Sequence, residues 1–235
     1  MSSLKELKER VFEANMELVR KDLVIYTFGN VSGIDRSRGI VAIKPSGVPY
    51  DELSPDSIVL VDLDNTVVEG TLSPSSDTKT HLVLYRSFPT VGGIAHTHST
   101  FATAWAQAKR DIPCFGTTHA DCAPGCIPCT RILTDDEIRG DYETETGNVI
   151  VERFDGLSYE ETQMALVASH GPFSWGETPE KAVCNSVILE ELAKTALYTE
   201  LLNSSTGEIQ QTLLDRHFRR KHGDNAYYGQ SRDDT

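Results

Sequence analysis

The sequence predicts an α/β protein in which one mixed sheet is covered by helices on both faces. Three observations point there. Short β-like runs separated by turn formers fill the first hundred residues. Capped, periodic helices stand at both ends of the chain. And 235 residues without a repeat, linker or low-complexity stretch fit one large domain with a substantial core. The whole of 1–235 is expected to be that domain, with 223–235 as a C-terminal tail.

From the N-terminus, Ser3 and Glu6 make a capping-box pattern, and Leu4, Leu7, Val11, Ala14 and Leu18 fall on one helical stripe. β-like runs follow at Leu23 to Thr27, Ile40 to Ile43, Ile58 to Val61 and Thr66 to Val68. Gly33-Ile34-Asp35, Ser46-Gly47 and 62–65 read as the turns between them. Thr78 to Ser87 reads as a helix that begins just after Ser75-Ser76-Asp77. A strand from Val91 to His96 then enters a helix capped near Ser99. Thr134 and Glu137 form a second capping box, and Val149-Ile150-Val151 and Met164 to Ala168 are buried-strand candidates. Thr178 as N-cap, with Pro179 at the first helical position, opens a long helix to about Leu202. A last helix, roughly Ile209 to His222, leads into a polar tail that carries Tyr227-Tyr228.

No apolar run approaches the roughly 20 residues that span a bilayer, and the N-terminus reads as a polar helix start, so a cytoplasmic protein is expected. Asp plus Glu outnumber Lys plus Arg by 35 to 22, a formal charge of −13 that argues against nucleic-acid and anionic-membrane partners. An anionic substrate must then be gripped by a local site. Cys126-Ile127-Pro128-Cys129 matches C-x-x-C, but a second pair and a redox-helix context are missing, so the five thiols are expected to be reduced and structural. Neither a G-x-G-x-x-G after a strand nor a G-x-x-x-x-G-K-[ST] occurs, so no NAD or nucleoside-triphosphate site is expected.

His96 and His98 are the densest chemical signal. They end the run Gly92-Gly93-Ile94-Ala95-His96-Thr97-His98, and side chains two apart on a strand share a face, as chelation of one ion requires. Asp77 and His170 are candidates to close the shell. Three neutral imidazoles and a carboxylate suit a divalent transition ion, zinc first, with manganese or another first-row ion as the alternative. Three polar pairs look built for an oxyanion: Gly29-Asn30, Ser46-Gly47 with Lys44 just before it, and Ser75-Ser76 at a helix start. Each alone is an ordinary turn. Thr117-Thr118-His119-Ala120-Asp121 offers Asp121 as an acid–base group, with Thr117 and His217 as auxiliary candidates.

Taken together, several segments carry a resemblance. They are Gly29-Asn30-Val31-Ser32, Ile43-Lys44-Pro45-Ser46-Gly47-Val48, Pro74-Ser75-Ser76-Asp77-Thr78, the His96-Thr97-His98-Ser99 run, Gly116-Thr117-Thr118-His119-Ala120-Asp121, Glu145-Thr146-Gly147-Asn148, Ser169-His170-Gly171-Pro172-Phe173 and Tyr227-Tyr228-Gly229-Gln230. In this order, from first helix to tail, they resemble the L-ribulose-5-phosphate 4-epimerase family of the class II aldolase and adducin superfamily. The resemblance implies a three-layer α/β/α sandwich on a mixed, mostly antiparallel central sheet. It implies one divalent ion per chain on Asp77, His96, His98 and His170, phosphate binding by Gly29, Asn30, Ser46, Gly47, Ser75 and Ser76, and Asp121 with Tyr228 as the acid–base pair. It also implies a cyclic homotetramer whose active site lies at the subunit interface, with Tyr228 given by the neighbour. Phe28 where a Trp is expected, and Cys122-Ala123-Pro124 in place of bulkier residues, are departures that remove no chemical group.

The implied reaction converts L-ribulose 5-phosphate to D-xylulose 5-phosphate, a step of arabinose, ascorbate or gulonate breakdown. The C4–H bond is not acidic, and oxidation at C4 needs the nicotinamide site that the motifs do not offer. The remaining route breaks the C3–C4 bond, rotates the two-carbon fragment and re-forms the bond. The alternative reading is a class II sugar-phosphate aldolase of the fuculose-phosphate type, which carries a glutamate where this chain has Asp77. A non-catalytic adducin-like module is a third reading; such modules generally lack the histidines found here.

Overall fold

One seven-stranded sheet organises the chain in a computed structural model that describes residues 3–222 and residue 226. In chain order the elements are α1 (Leu4–Arg20), β1 (Asn30–Asp35), β2 (Ile40–Ile43), β3 (Val59–Asp62), β4 (Val67–Glu69), α2 (Thr78–Ser87), β5 (Gly93–His96), α3 (Thr100–Ala108), α4 (Thr117–Ala120), α5 (Asp135–Arg139), α6 (Tyr142–Arg153), β6 (Met164–Val167), β7 (Gly171–Gly176), α7 (Pro179–Leu202) and α8 (Gln211–His222). The strands lie in the order β4-β3-β2-β1-β5-β7-β6, and every ladder between them is antiparallel. Among the described residues, parallel pairing is confined to the isolated bridge between Cys129 and Leu166. The mixed character expected from the sequence shrinks to that bridge.

Strand alternation sorts the apolar residues into two cores. On one face Val41, Val61, Ile94, Val167, Phe173 and Trp175 pack with Leu82, Leu84 and Tyr85 of α2 and Ile150 of α6. On the other, Ala42 and Leu60 lie under Leu7 and Val11 of α1, while Val31 and Ala95 meet Leu18 of α1 and Val183 of α7. Further along that face, Met164 and Leu166 pack with Trp105 of α3 and Leu189 of α7. Successive residues of one strand, such as Ile94 and Ala95, therefore serve opposite cores, as the period of two demands. Each large side chain so buried contributes about 1.5–3 kcal/mol. The result is helix layer, sheet, helix layer. Among the described residues no helix is long and apolar enough to cross a membrane.

The helix boundaries follow their caps. Glu6 N donates to Ser3 Oγ (3.1 Å) and Ser3 N to Glu6 Oε2 (2.7 Å), and the same reciprocal pair holds between Thr134 and Glu137 at α5. Two strand expectations are corrected. Leu23 to Thr27 is a loop: Asp22 and Tyr26 take φ of +54° and +53°, which breaks an extended run, and Ile25 and Tyr26 stay exposed. Val149-Ile150-Val151 lies in α6, because Gly147 brings that helix onto α2. A Cβ there would sit 2.6 Å from Val83 Cβ, so tertiary packing overrides β-propensity. Conversely, Gly33-Ile34-Asp35 is no turn but the second half of β1, and β7 was not expected at all.

Candidate active site

The register of three central strands builds the site's first row. Asn30 of β1 stands opposite His96 of β5, and His96 opposite Phe173 of β7. Phe173 stacks on the His96 ring at 4.1 Å between centroids and 18° between planes. His96 Nδ1 lies 2.9 Å from the Pro172 carbonyl oxygen. A carbonyl only accepts, so Nδ1 carries the proton and Nε2 turns a lone pair outward. His98 lies just past the end of β5, not within it, yet its Nε2 comes 3.0 Å from His96 Nε2. His170 occupies the turn before β7, after Ser169 at φ +64°.

The three imidazoles offer donor atoms that all lie within 4.8 Å of one another. Burial, helped by the neighbouring imidazoles, lowers the pKa of both His98 and His170, so both stay neutral at pH 7. Neutral imidazole is the ligating form. Converging nitrogens with one lone pair fixed from behind fit a divalent transition ion.

Asp77 flanks this triplet rather than joining it: among the described residues the 4.8 Å set contains the three imidazoles and no carboxylate. Its Oδ2 accepts from Asn30 Nδ2 at 2.7 Å, and the same amide reaches Ser75 Oγ at 3.1 Å. Asn30 thus spends its amide hydrogens on the carboxylate and the serine, while its Oδ1 is buried without a hydrogen-bond partner among the described residues. Burial opposes ionisation of Asp77, but His96, His81 and the Asn30 hydrogen bond keep its pKa below the ordinary carboxylate value.

The oxyanion candidates gather beside the imidazoles. Gly29, Asn30, Lys44, Ser46, Gly47, Ser75 and Ser76 line one cleft of about 390 Å³ together with Asp77, His96, His98 and His170. At Gly29 (φ +76°) a Cβ would fall 2.8 Å from the His96 carbonyl oxygen, so only glycine lets this backbone lie against β5. Lys44 supplies the positive charge that an acidic protein must localise. Its amine is nearly buried, donates to the Val48 carbonyl at 2.8 Å and sits 4.8 Å over the Tyr50 ring. Burial lowers its pKa to about 8, leaving it mostly charged at pH 7.

Asp121 stands elsewhere. It caps α4, which Thr117 opens, and it does not line the cleft. Its carboxylate accepts from Arg220 Nε (2.9 Å) and Nη2 (2.5 Å), with His217 Nδ1 at 3.1 Å and Lys221 Nζ at 3.6 Å, all on α8. Burial opposes the charge, but the Arg220 and His217 hydrogen bonds hold its pKa below the ordinary value. Tyr228 lies outside the described residues. Sequence reasoning missed Tyr142 and Glu143, which line the cleft; their only signal was an aromatic–acid pair opening a helix. Phe28 also lines it, its ring 6.0 Å from that of His98.

Residues 9–197 match the class II aldolase and adducin N-terminal domain. The proteins called L-ribulose-5-phosphate 4-epimerase UlaF in Salmonella paratyphi C (strain RKS4594) and Salmonella choleraesuis (strain SC-B67) are each 52% identical over 227 residues, 97% of this chain and the whole of each relative. Among solved structures, an L-fuculose 1-phosphate aldolase superposes with a TM-score of 0.75 at 24% identity, over 91% of this chain and 94% of that one. The L-fuculose 1-phosphate aldolase from Glaciozyma antarctica PI12 gives 0.75 at 17% identity, over 94% and 84%. The structural likenesses carry the fold, and the sequence matches carry the kinship: this chain belongs to the class II aldolase and adducin family, on the branch it shares with those epimerases.

Proposed function

We propose that this chain is a metal-dependent L-ribulose-5-phosphate 4-epimerase that forms D-xylulose 5-phosphate. The observation that carries the reading is one cleft joining three converging imidazoles to an oxyanion cradle. Identity of 52% to curated epimerases of that name selects the substrate within the family.

His96, His98 and His170, with Asp77 at their side, are the proposed holders of one divalent ion, zinc by the donor set, which when bound supplies Lewis acidity at the ketone end of the sugar. The rest falls to the chain. Lys44, Ser46-Gly47 and Ser75-Ser76 hold the 5-phosphate, with Gly29-Asn30 closing the cradle. A base takes the C4 hydroxyl proton, the C3–C4 bond breaks, and its electron pair stays on the three-carbon fragment while C4 becomes an aldehyde. The aldehyde, tethered by its phosphate, turns its other face to C3. The bond re-forms, and an acid returns a proton to the C4 oxygen. Nothing is oxidised overall, so no nicotinamide is required.

Asp121 and Tyr228 are the proposed proton carriers, each worth ~10²–10⁴ in rate. Because Asp121 lies outside its own chain's cleft, we assign it, like Tyr228, to the cleft of a neighbour in a cyclic homotetramer, with Thr117 and His217 beside it. The whole of 1–235 is taken as one domain. The test is a product assay: zinc-loaded protein with L-ribulose 5-phosphate and no nicotinamide should yield D-xylulose 5-phosphate, and chelation should stop it. Release of free dihydroxyacetone and glycolaldehyde phosphate without epimer would instead favour an aldolase. Solvent deuterium washed into C4 during turnover would refute bond cleavage.

A further inference from the structure

The three imidazoles are supported in three different ways. His96 has the Phe173 stack and the Pro172 carbonyl behind it. His98 packs beside Phe28. His170 sits in a turn, after a residue at positive φ, with no strand to set its direction. Beside the other two imidazoles and the edge contact with Phe173, it meets Tyr142. The phenol oxygen lies 3.3 Å from His170 Nδ1, and the two rings run nearly parallel, 6.2 Å apart at 28°.

Tyr142 is itself well held. It opens α6, and its carbonyl accepts from Thr146 Oγ1 at 2.8 Å. The start of α6 is fastened to the start of α2: Thr80 Oγ1 donates to the Glu143 carbonyl at 2.6 Å, and Lys79 Nζ pairs with Asp141 at 2.9 Å. That end of α2 follows directly on Ser75-Ser76-Asp77. Tyr142 therefore connects His170 to the side of the cleft that carries the cradle.

We propose that Tyr142 is a positioning residue for His170: its phenol oxygen accepts from His170 Nδ1–H and so leaves the Nε2 lone pair for the metal. The reverse polarity, phenol donating to Nδ1, would put the imidazole proton on Nε2 and take that nitrogen out of the ligand set. A ligating histidine generally donates its second N–H to an acceptor that fixes tautomer and ring orientation, and losing that acceptor typically costs ~10–100-fold in metal affinity. The proposal rests on the metal-site reading above.

The test measures zinc affinity of the full chain by competition with a chromophoric chelator, for wild type, His170→Asn and Tyr142→Phe. Tyr142→Phe keeps the ring and the helix and removes only the oxygen. Its zinc affinity should fall about 10–100-fold with an unchanged far-ultraviolet spectrum, and His170→Asn should fall further. In the zinc-loaded wild type, nitrogen-15 spectra of the imidazoles should show His170 protonated at Nδ1. Zinc binding by Tyr142→Phe within twofold of wild type, while His170→Asn loses the ion, would overturn the positioning role and leave the metal site standing. A wild type that binds no divalent ion would remove both. If Tyr142→Phe does not fold, the wild-type spectrum decides, and a proton on His170 Nε2 overturns the proposal.

Discussion

The cleft and the α4–α8 corner hold the two halves of the candidate chemistry, and they are built on opposite plans. The cleft is made from strand ends and the turns that leave them, so its side chains inherit the register of the sheet: Asn30, His96 and Phe173 form one cross-strand row. The corner is made from a four-residue helix and the side chains of α8, and one carboxylate there receives Arg220, His217 and Lys221. The cleft gathers three imidazoles, the Asp77 carboxylate and one buried amine around open space. The corner gathers charges that are satisfied within the same chain. On the function proposed above, the metal-and-phosphate site is complete inside one subunit, whereas Asp121 reaches a cleft only from a neighbouring chain.

The largest expected effect tests the cleft alone. His96→Asn removes the nitrogen whose lone pair Pro172 sets, and should abolish zinc binding and turnover together. Loss of activity with full zinc content would separate the metal from the imidazoles and break the assignment.

Next comes the corner. Asp121→Asn should lower turnover by ~10²–10⁴ while zinc content stays normal. If zinc is lost as well, the two regions are not independent. Mixing then asks whose cleft the corner serves. Tetramers reassembled from equal amounts of His96→Asn and Asp121→Asn chains contain intact clefts only on Asp121→Asn chains. A neighbour of the other type brings an intact Asp121, so about a quarter of all sites should be whole if Asp121 works in trans around a closed ring. Mixed tetramers confirmed by mass that remain as inactive as their parents would place Asp121 in its own chain's chemistry.

The same contrast explains what the sequence could and could not disclose. Elements carried by local rules were readable: the capping boxes at Ser3 and Thr134, the Thr178-Pro179 start of α7, and the short apolar strands β2, β3 and β6. Elements decided by tertiary contact were not. The Val149-Ile150-Val151 run becomes helix because Gly147 lets α6 close on Val83 of α2, and Gly33 stays in β1, where a Cβ would meet Pro179 and Val11. The histidines were legible from spacing, but for a partly wrong reason, since His98 lies beyond the strand that ends at His96. Tyr142 and Glu143 reach the cleft only through the docking of α6, and no residue pattern near them foretells that. At the C-x-x-C pair, burial pushes the thiols of Cys126 and Cys129 up to about 11, the opposite of a redox pair.

A smaller effect separates two roles inside the cleft. Asn30 belongs to the proposed phosphate cradle, and its amide also clamps Asp77 and Ser75. Asn30→Ala should therefore weaken zinc about 10–100-fold as well as raise KM. A change in KM alone, with zinc affinity intact, would return Asn30 to the phosphate.

The smallest expected effect is a pH limb, and it uses the one buried cation of the cradle. Burial brings the Lys44 pKa down to about 8. Below that pH the amine is charged and can hold a phosphate; above it the free enzyme loses the charge, so kcat/KM should fall about tenfold per pH unit where this ionisation governs binding. Stability should move the other way. Between about 8 and the ordinary value of 10.5 the unfolded chain keeps a proton on this lysine that the folded chain has released. Stability rises with pH wherever the unfolded state binds more protons, so the fold gains over the window in which the cradle weakens. Lys44→Met should remove the alkaline limb, raise KM at pH 7, and flatten the rise in melting temperature across that window. The corner provides the control: Asp121→Asn leaves Lys44 in place, so its residual activity should keep the limb near pH 8. A limb that persists in Lys44→Met would mean that another group titrates there, and that the phosphate is held by the serine hydroxyls and backbone amides without this charge.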